Sequence, residues 1–172
     1  MKAIYKAAPL SRKNIRDYVA RIRKLTGTEN IYYFPIVEFL EILLPQLIDG
    51  FYYEICSREE MPIKYGETFP AENKICIRED IYEQALAGNA FARYTIAHEI
   101  GHLLLNDVSS ISLCRLADGE ELKPYEDPEW QADCFGGELL MYHPLIKGLT
   151  PAEISEKCGV TPRAARVQSS KA

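Results

Sequence analysis

The sequence predicts an α+β fold: a small mixed or antiparallel sheet packed on one buried helix, followed by a helical C-terminal tail. Three observations predict it. Two β-rich apolar runs, Phe51–Cys56 and Lys74–Arg78, are bunched mid-chain and not interleaved with helices. The stretch 90–105 (AFARYTIAHEIGHLLL) is apolar on nearly all sides, as a core helix must be. Helix-period segments with recognisable caps flank both features.

Taken in order, residues 10–25 place Leu10, Ile15, Tyr18, Val19, Ile22 and Leu25 at helical spacing, with Ser11 as N-cap and Gly27 as stop. The other face carries Arg12, Lys13, Arg16, Arg21, Arg23 and Lys24 against Asp17, a basic surface that reads first as solvated and second as a partner or phosphate face. Ile31–Leu44 forms a second apolar helix, with Pro35 near its start and Pro45 interrupting or ending it. The two strand runs follow. Between them Met61-Pro62, Tyr65-Gly66 and Phe69-Pro70 read as loop or a short extra strand.

Asn89 caps the main helix, and Gly101 within it costs about 1 kcal/mol of helix propensity, a cost that close approach of another backbone would explain. Residues 106–128, broken by Asp118-Gly119, Pro124 and Pro128, read as a long connection with solvated acids at Glu120, Glu121, Glu126 and Asp127. Asp127-Pro128 then reads as N-cap and first position of a helix reaching about Tyr142, closed by Pro144. In the tail, Thr150-Pro151 and Thr161-Pro162 each start a short helix around Cys158-Gly159-Val160. A helical hairpin packed on the core is the first reading, and a helix-turn-helix half with Arg163 and Arg166 the second.

The buried helix carries H-E-x-x-H. On an α-helix, His98 and His102 fall about 40° apart around the axis, one turn above the other, so both imidazoles can reach one zinc ion. Glu99 points to the water such an ion would hold and is the candidate catalytic base. A catalytic zinc needs a third protein ligand. His143, beside Pro144 at a helix end, is the weaker candidate. Glu129, opening the next helix, is the stronger, with Asp133 one turn on to accept the second N–H of a ligating histidine. The oxyanion donor is open among Tyr65, Tyr94, Tyr125, Tyr142 and His143, and Lys74–Arg78 would align an extended substrate if it lay at a sheet edge. His/Glu donors also accept divalent ions other than zinc.

At 172 residues with 47% hydrophobic and 26% charged residues, the chain can build one ordinary core, and its net charge of −5 argues against a surface that coats nucleic acid. The five cysteines have no C-x-x-C spacing, the N-terminus lacks a long apolar run, and no stretch is long enough to span a bilayer, so reduced thiols and a cytoplasmic location are expected.

These residues resemble the ImmA/IrrE family of zinc metallopeptidases. The likeness is carried by FARYTIAHEIGHLLLN at 91–106, EWQADCFGGELLM at 129–141 and ISEKCGVTPRAARV at 154–167; residues 30–90 match in layout only. The resemblance implies a zincin-like metallopeptidase domain over 1–148, with N-terminal helices in 10–45, and a short helix-turn-helix-like appendage over 149–172. It implies His98, His102 and Glu129 as zinc ligands, Glu99 as general base and Asp133 behind a ligand. Tyr142 stands where the family usually has proline, and Gly136 where alanine is usual; neither touches a proposed ligand. Members are often bacterial or phage-borne regulators that cleave or antagonise a repressor, so the expectation is a zinc-dependent endopeptidase acting on a specific helix-turn-helix transcriptional repressor. The alternatives are a regulator that keeps the zinc-site residues but works by binding a protein partner or DNA with little turnover, and an effector hydrolase acting on a different amide.

Overall fold

The structure is a computed structural model that describes residues 3–106, 111–116 and 119–172. Among the described residues, five strands and nine α-helical segments occur in the order β1 (Ala3–Ala7), α1 (Arg12–Leu25), α2 (Ile36–Glu38), α3 (Leu44–Leu47), β2 (Tyr52–Cys56), β3 (Gly66–Phe69), β4 (Lys74–Arg78), α4 (Glu79–Leu86), α5 (Ala90–Leu105), β5 (Ile111–Arg115), α6 (Pro128–Leu140), α7 (His143–Ile146), α8 (Pro151–Cys158) and α9 (Pro162–Ser169). The α+β expectation holds. The strands form two sheets, a mixed one in the order β2-β4-β3 and an antiparallel pair β1-β5.

Local chemistry explains most boundaries. Ser11 and Asn14 close a reciprocal cap on α1, and Gly27 takes φ +67° just beyond it. The second apolar helix starts later than its pattern suggests, at Ile36, and Pro45 does not stop it. A π-helical turn at Phe39–Leu43, closed by Leu44 N–H to Phe39 O, takes up the place where Pro45 has no N–H to give. β3 is the extra strand allowed for between the two apolar runs. Four elements escaped the sequence reading: β1, β5, α4 and α7, the last of which Pro144 opens after α6 has ended. Asp118, half of the turn read at 118–119, lies outside the described residues.

α5 is the centre. Ile96, Ala97 and Ile100 are fully buried, as are Ile75 and Ile77 of β4 and Phe135 and Leu139 of α6, all in one core with Phe34, Phe39 and Leu40. Burying a Leu- or Phe-sized side chain contributes about 1.5–3 kcal/mol, so this cluster fixes where α5 sits. Gly101 serves close backbone approach, as its place in the sequence suggested. A Cβ there would stand 3.1 Å from both Cα and O of Ala132 on α6.

The basic face of α1 is not simply solvated. Arg12 and Arg16 grip the buried Glu138 carboxylate at 3.0 Å, Arg16 through two nitrogens. Arg23 is fully buried and gives its N–H groups to the carbonyls of Thr28, Ile31 and Leu139, with its guanidinium over Phe34 and Tyr142. Burial pulls its pKa down to about 10. Arg93 of α5, also buried, donates to the carbonyls of Phe34 and Cys158, with Nε 3.4 Å from that of Gly159, and so holds the C-terminal end of α8. Ile154, Cys158, Val160 and Ala165 of the tail are buried in the same core as α5. Among the acids read as solvated, Glu126 pairs with Lys6 at 2.9 Å.

Candidate metal centre

Asn89 accepts from Ala92 N–H and starts α5 in the register that turns His98 and His102 to one side. Asp127 accepts from Glu129 N–H, Pro128 takes the first helical position, and α6 starts as its sequence predicted. With Gly101 letting the two helices close, the Glu129 carboxylate lies over the imidazole pair.

The geometry is tight. His98 Nε2 and His102 Nε2 are 3.0 Å apart, Glu129 Oε2 is 3.3 Å from the first and Oε1 3.2 Å from the second. Three donors bound tetrahedrally to one zinc at 2.0–2.1 Å would stand about 3.3 Å from one another, so the set fits with a shift of a few tenths of an ångström. Nitrogen and carboxylate donors are also the right chemistry. Glu129 is the residue brought to the histidines; His143 opens α7 and takes no part in the cluster.

Each histidine has support behind it. His98 Nδ1 is 2.8 Å from Asp133 Oδ1, where the sequence placed that acid. Burial alone would lower the His98 pKa, but Asp133 and Glu129 outweigh it and raise the group to about 10; hydrogen bonds from His102 and His98 hold the Glu129 carboxyl far below its usual range. His102 Nδ1 is 3.1 Å from Asn106 Nδ2, and Asn106 is fully buried, its Oδ1 without a partner among the described residues. A histidine that offers Nε2 to a metal must carry its proton on Nδ1 and needs an acceptor there. A half-turn of the Asn106 amide supplies it.

Glu99 is buried beside the cluster. The Thr68 hydroxyl lies 2.7 Å from its Oε2 and 2.9 Å from its backbone oxygen. Gly66 leaves it room: a Cβ there would meet Glu99 Cγ at 2.8 Å. The cluster opens into a cleft of about 650 Å³ walled by β3 and by Tyr5 and Ile111 of the β1–β5 pair. The strand expected to align a substrate is the wrong one. β4 is the central strand, paired on both edges, and the free edge beside the cleft belongs to β3.

Among the described residues Tyr5 is the tyrosine that lines this cleft. The tyrosines proposed from sequence are engaged elsewhere. Tyr65 lies edge-on to Phe91, Tyr94 donates to Asp133 O at 2.7 Å, Tyr125 lies by Lys123, and Tyr142 is buried under Arg23. Thr68, Gly66, Asn106 and Tyr5 were missed. The signal for the first two was the alternation in Gly66-Glu67-Thr68-Phe69, which sets Gly66 and Thr68 on one face of a strand.

The family model for peptidase M78, described as the IrrE N-terminal-like domain, matches residues 61–165, a span that holds every residue of the cluster. No curated protein matches the chain.

Proposed function

From its membership in the peptidase M78, IrrE N-terminal-like family, we propose that this chain is a zinc-dependent endopeptidase whose substrate is one specific regulatory protein, a helix-turn-helix repressor. The observation that carries the catalytic part is the convergence of His98, His102 and Glu129 beside the buried Glu99. The repressor rests on the family resemblance alone.

His98, His102 and Glu129 would hold the ion. When bound, zinc supplies Lewis acidity and lowers the pKa of water towards about 7. Everything else belongs to the chain. Glu99 takes the proton of the attacking water and returns it to the leaving amine. Thr68 fixes one carboxylate oxygen of Glu99 and leaves the other for that transfer. Asp133 and Asn106 hold the two imidazoles in position. β3 offers its free edge to an extended peptide, whose backbone can pair with it antiparallel or parallel. Tyr5, which lines the cleft, is the candidate donor to a developing oxyanion.

The rival reading, a regulator that binds its partner without turnover, drew on the basic helix α1. Three of that helix's arginines are spent inside the molecule: Arg12 and Arg16 on Glu138, Arg23 on backbone carbonyls. The test is Glu99→Gln in the full chain, assayed against candidate helix-turn-helix repressors. Zinc content stays at wild-type level and cleavage, followed by mass spectrometry, falls by about 10²–10⁴-fold. Unchanged repressor inactivation by this variant would give the case to the binding reading.

A further inference from the structure

The β2-β4-β3 sheet has a second face. Ile75 and Ile77 point to the core, and their partners Thr68 and Gly66 meet Glu99. Alternation sends Lys74 and Cys76 to the opposite side, and the parallel register sets Glu54 directly across from Cys76. Cys56 is two residues further along β2, on the same face. Twenty residues separate the two thiols in the chain, which is why no cysteine spacing announced them.

Glu54, Cys56 and Cys76 offer a carboxylate oxygen and two sulfurs that all lie within 4.8 Å of one another. Cys76 Sγ is 3.7 Å from Glu54 Oε2, Cys56 Sγ lies within 4.8 Å of both, and both thiols are free. Two thiolates on one zinc at 2.3 Å stand about 3.8 Å apart, a separation this set already approaches, whereas a disulfide would need about 2.05 Å between positions set diagonally across the strand pair. Cys76 is buried, Cys56 half-buried and Glu54 exposed, so an ion can enter from solvent and finish against the sheet. Two thiolates, one carboxylate and a divalent ion sum to −1; Lys74 Nζ, shared between Glu54 Oε2 at 3.8 Å and Glu72 Oε2 at 3.4 Å, places a cation beside them.

We propose that Glu54, Cys56 and Cys76 form a second cation site, for a divalent metal that accepts thiolate, zinc foremost, with water as the fourth ligand. Binding expels the two thiol protons to solvent. The ion ties β2 to β4, and β4 carries on its other edge the strand whose Thr68 holds Glu99. The site stands independently of the histidine cluster, which contains no sulfur.

The experiment is a cobalt(II) titration of the full wild-type chain and of a His98→Ala/His102→Ala double variant. Both develop the near-ultraviolet sulfur-to-cobalt charge-transfer band, which zinc abolishes by displacing cobalt. Cys56→Ser removes the band and lowers zinc from two per chain to one, while Cys114→Ser, on a different sheet, leaves both unchanged. Cys56 is half-exposed, so its serine variant reports even if the buried Cys76→Ser fails to fold. A folded wild-type chain with no such band in excess cobalt overturns the proposal, as does a band that survives Cys56→Ser. A chain showing the band but no sulfur-free second site would count against the peptidase reading and leave this one standing.

Discussion

Asn106 shows how much of the centre depends on groups that never touch an ion. Its amide is the hydrogen-bonding partner of His102 Nδ1, and its oxygen is buried without a partner among the described residues. Asn106→Leu removes the group that fixes the His102 tautomer, and zinc affinity falls about 10–100-fold, read by competition with a chromophoric chelator. Asn106→Asp restores it, because a carboxylate accepts the same N–H. His98 adds a pH dependence. Its pKa is raised to about 10, so the stability it gains from Asp133 and Glu129 is fully present below the unfolded value near 6.5 and is lost as pH rises through 10. The ion must displace that proton. Zinc affinity therefore climbs with pH, by up to about tenfold between pH 7 and pH 8 in the same competition assay. The nearness of His98 and His102 was legible in sequence because a four-residue repeat on a helix fixes their relation. Asn106 is four residues beyond His102 and could have been read by the same rule. Tyr5 could not, since it reaches the cleft from a strand at the other end of the chain.

Among the elements, the crossing of α5 and α6 decides whether there is a centre. It is set by Gly101 against Ala132, with no room for a methyl group. Gly101→Val forces the helices apart. Thermal denaturation should show a loss of about 1–3 kcal/mol, typical of overpacking, and zinc affinity should fall with it because Glu129 rides on the displaced helix. A stabilised Gly101→Val with intact zinc binding would show that the contact has slack. The α helices were readable from caps and period, and β2 and β4 from their apolar runs. β1 and β5 were not, because Tyr5 and Leu113 are exposed and the two strands find backbone partners only in each other, Ala3 with Arg115 through Ala7 with Ile111. Pairing at that sequence distance leaves no local period. α4 was overlooked for a different reason: it follows β4 without a gap, so no turn residue separates its first turn, Glu79-Asp80, from the strand.

For the whole molecule, the buried cations do the joining. Arg23 links α1 to the carbonyl of Leu139 on α6, Arg12 and Arg16 close the same seam through Glu138, and Arg93 links α5 to α8. Composition predicted one core and nothing about these links, since an arginine in a helix-period pattern looks the same whether it faces water or carbonyls. Among the described residues no helix is long and apolar enough to cross a membrane. Arg93→Leu takes the guanidinium donors from the carbonyls of Phe34, which keeps the N–H of Ile36, and of Cys158, a loss of about 1–3 kcal/mol in urea denaturation. The melting curve of that variant should also separate the tail from the rest, with hydrogen exchange rising first in α8 and α9.

Arg93 sits five residues before His98 on one continuous rod, so a nick near residue 158 would do more than shorten the polypeptide. It would strip acceptors from a cation lodged at the foot of the histidine helix, and the chain would answer damage at its far end with a fault at its working end.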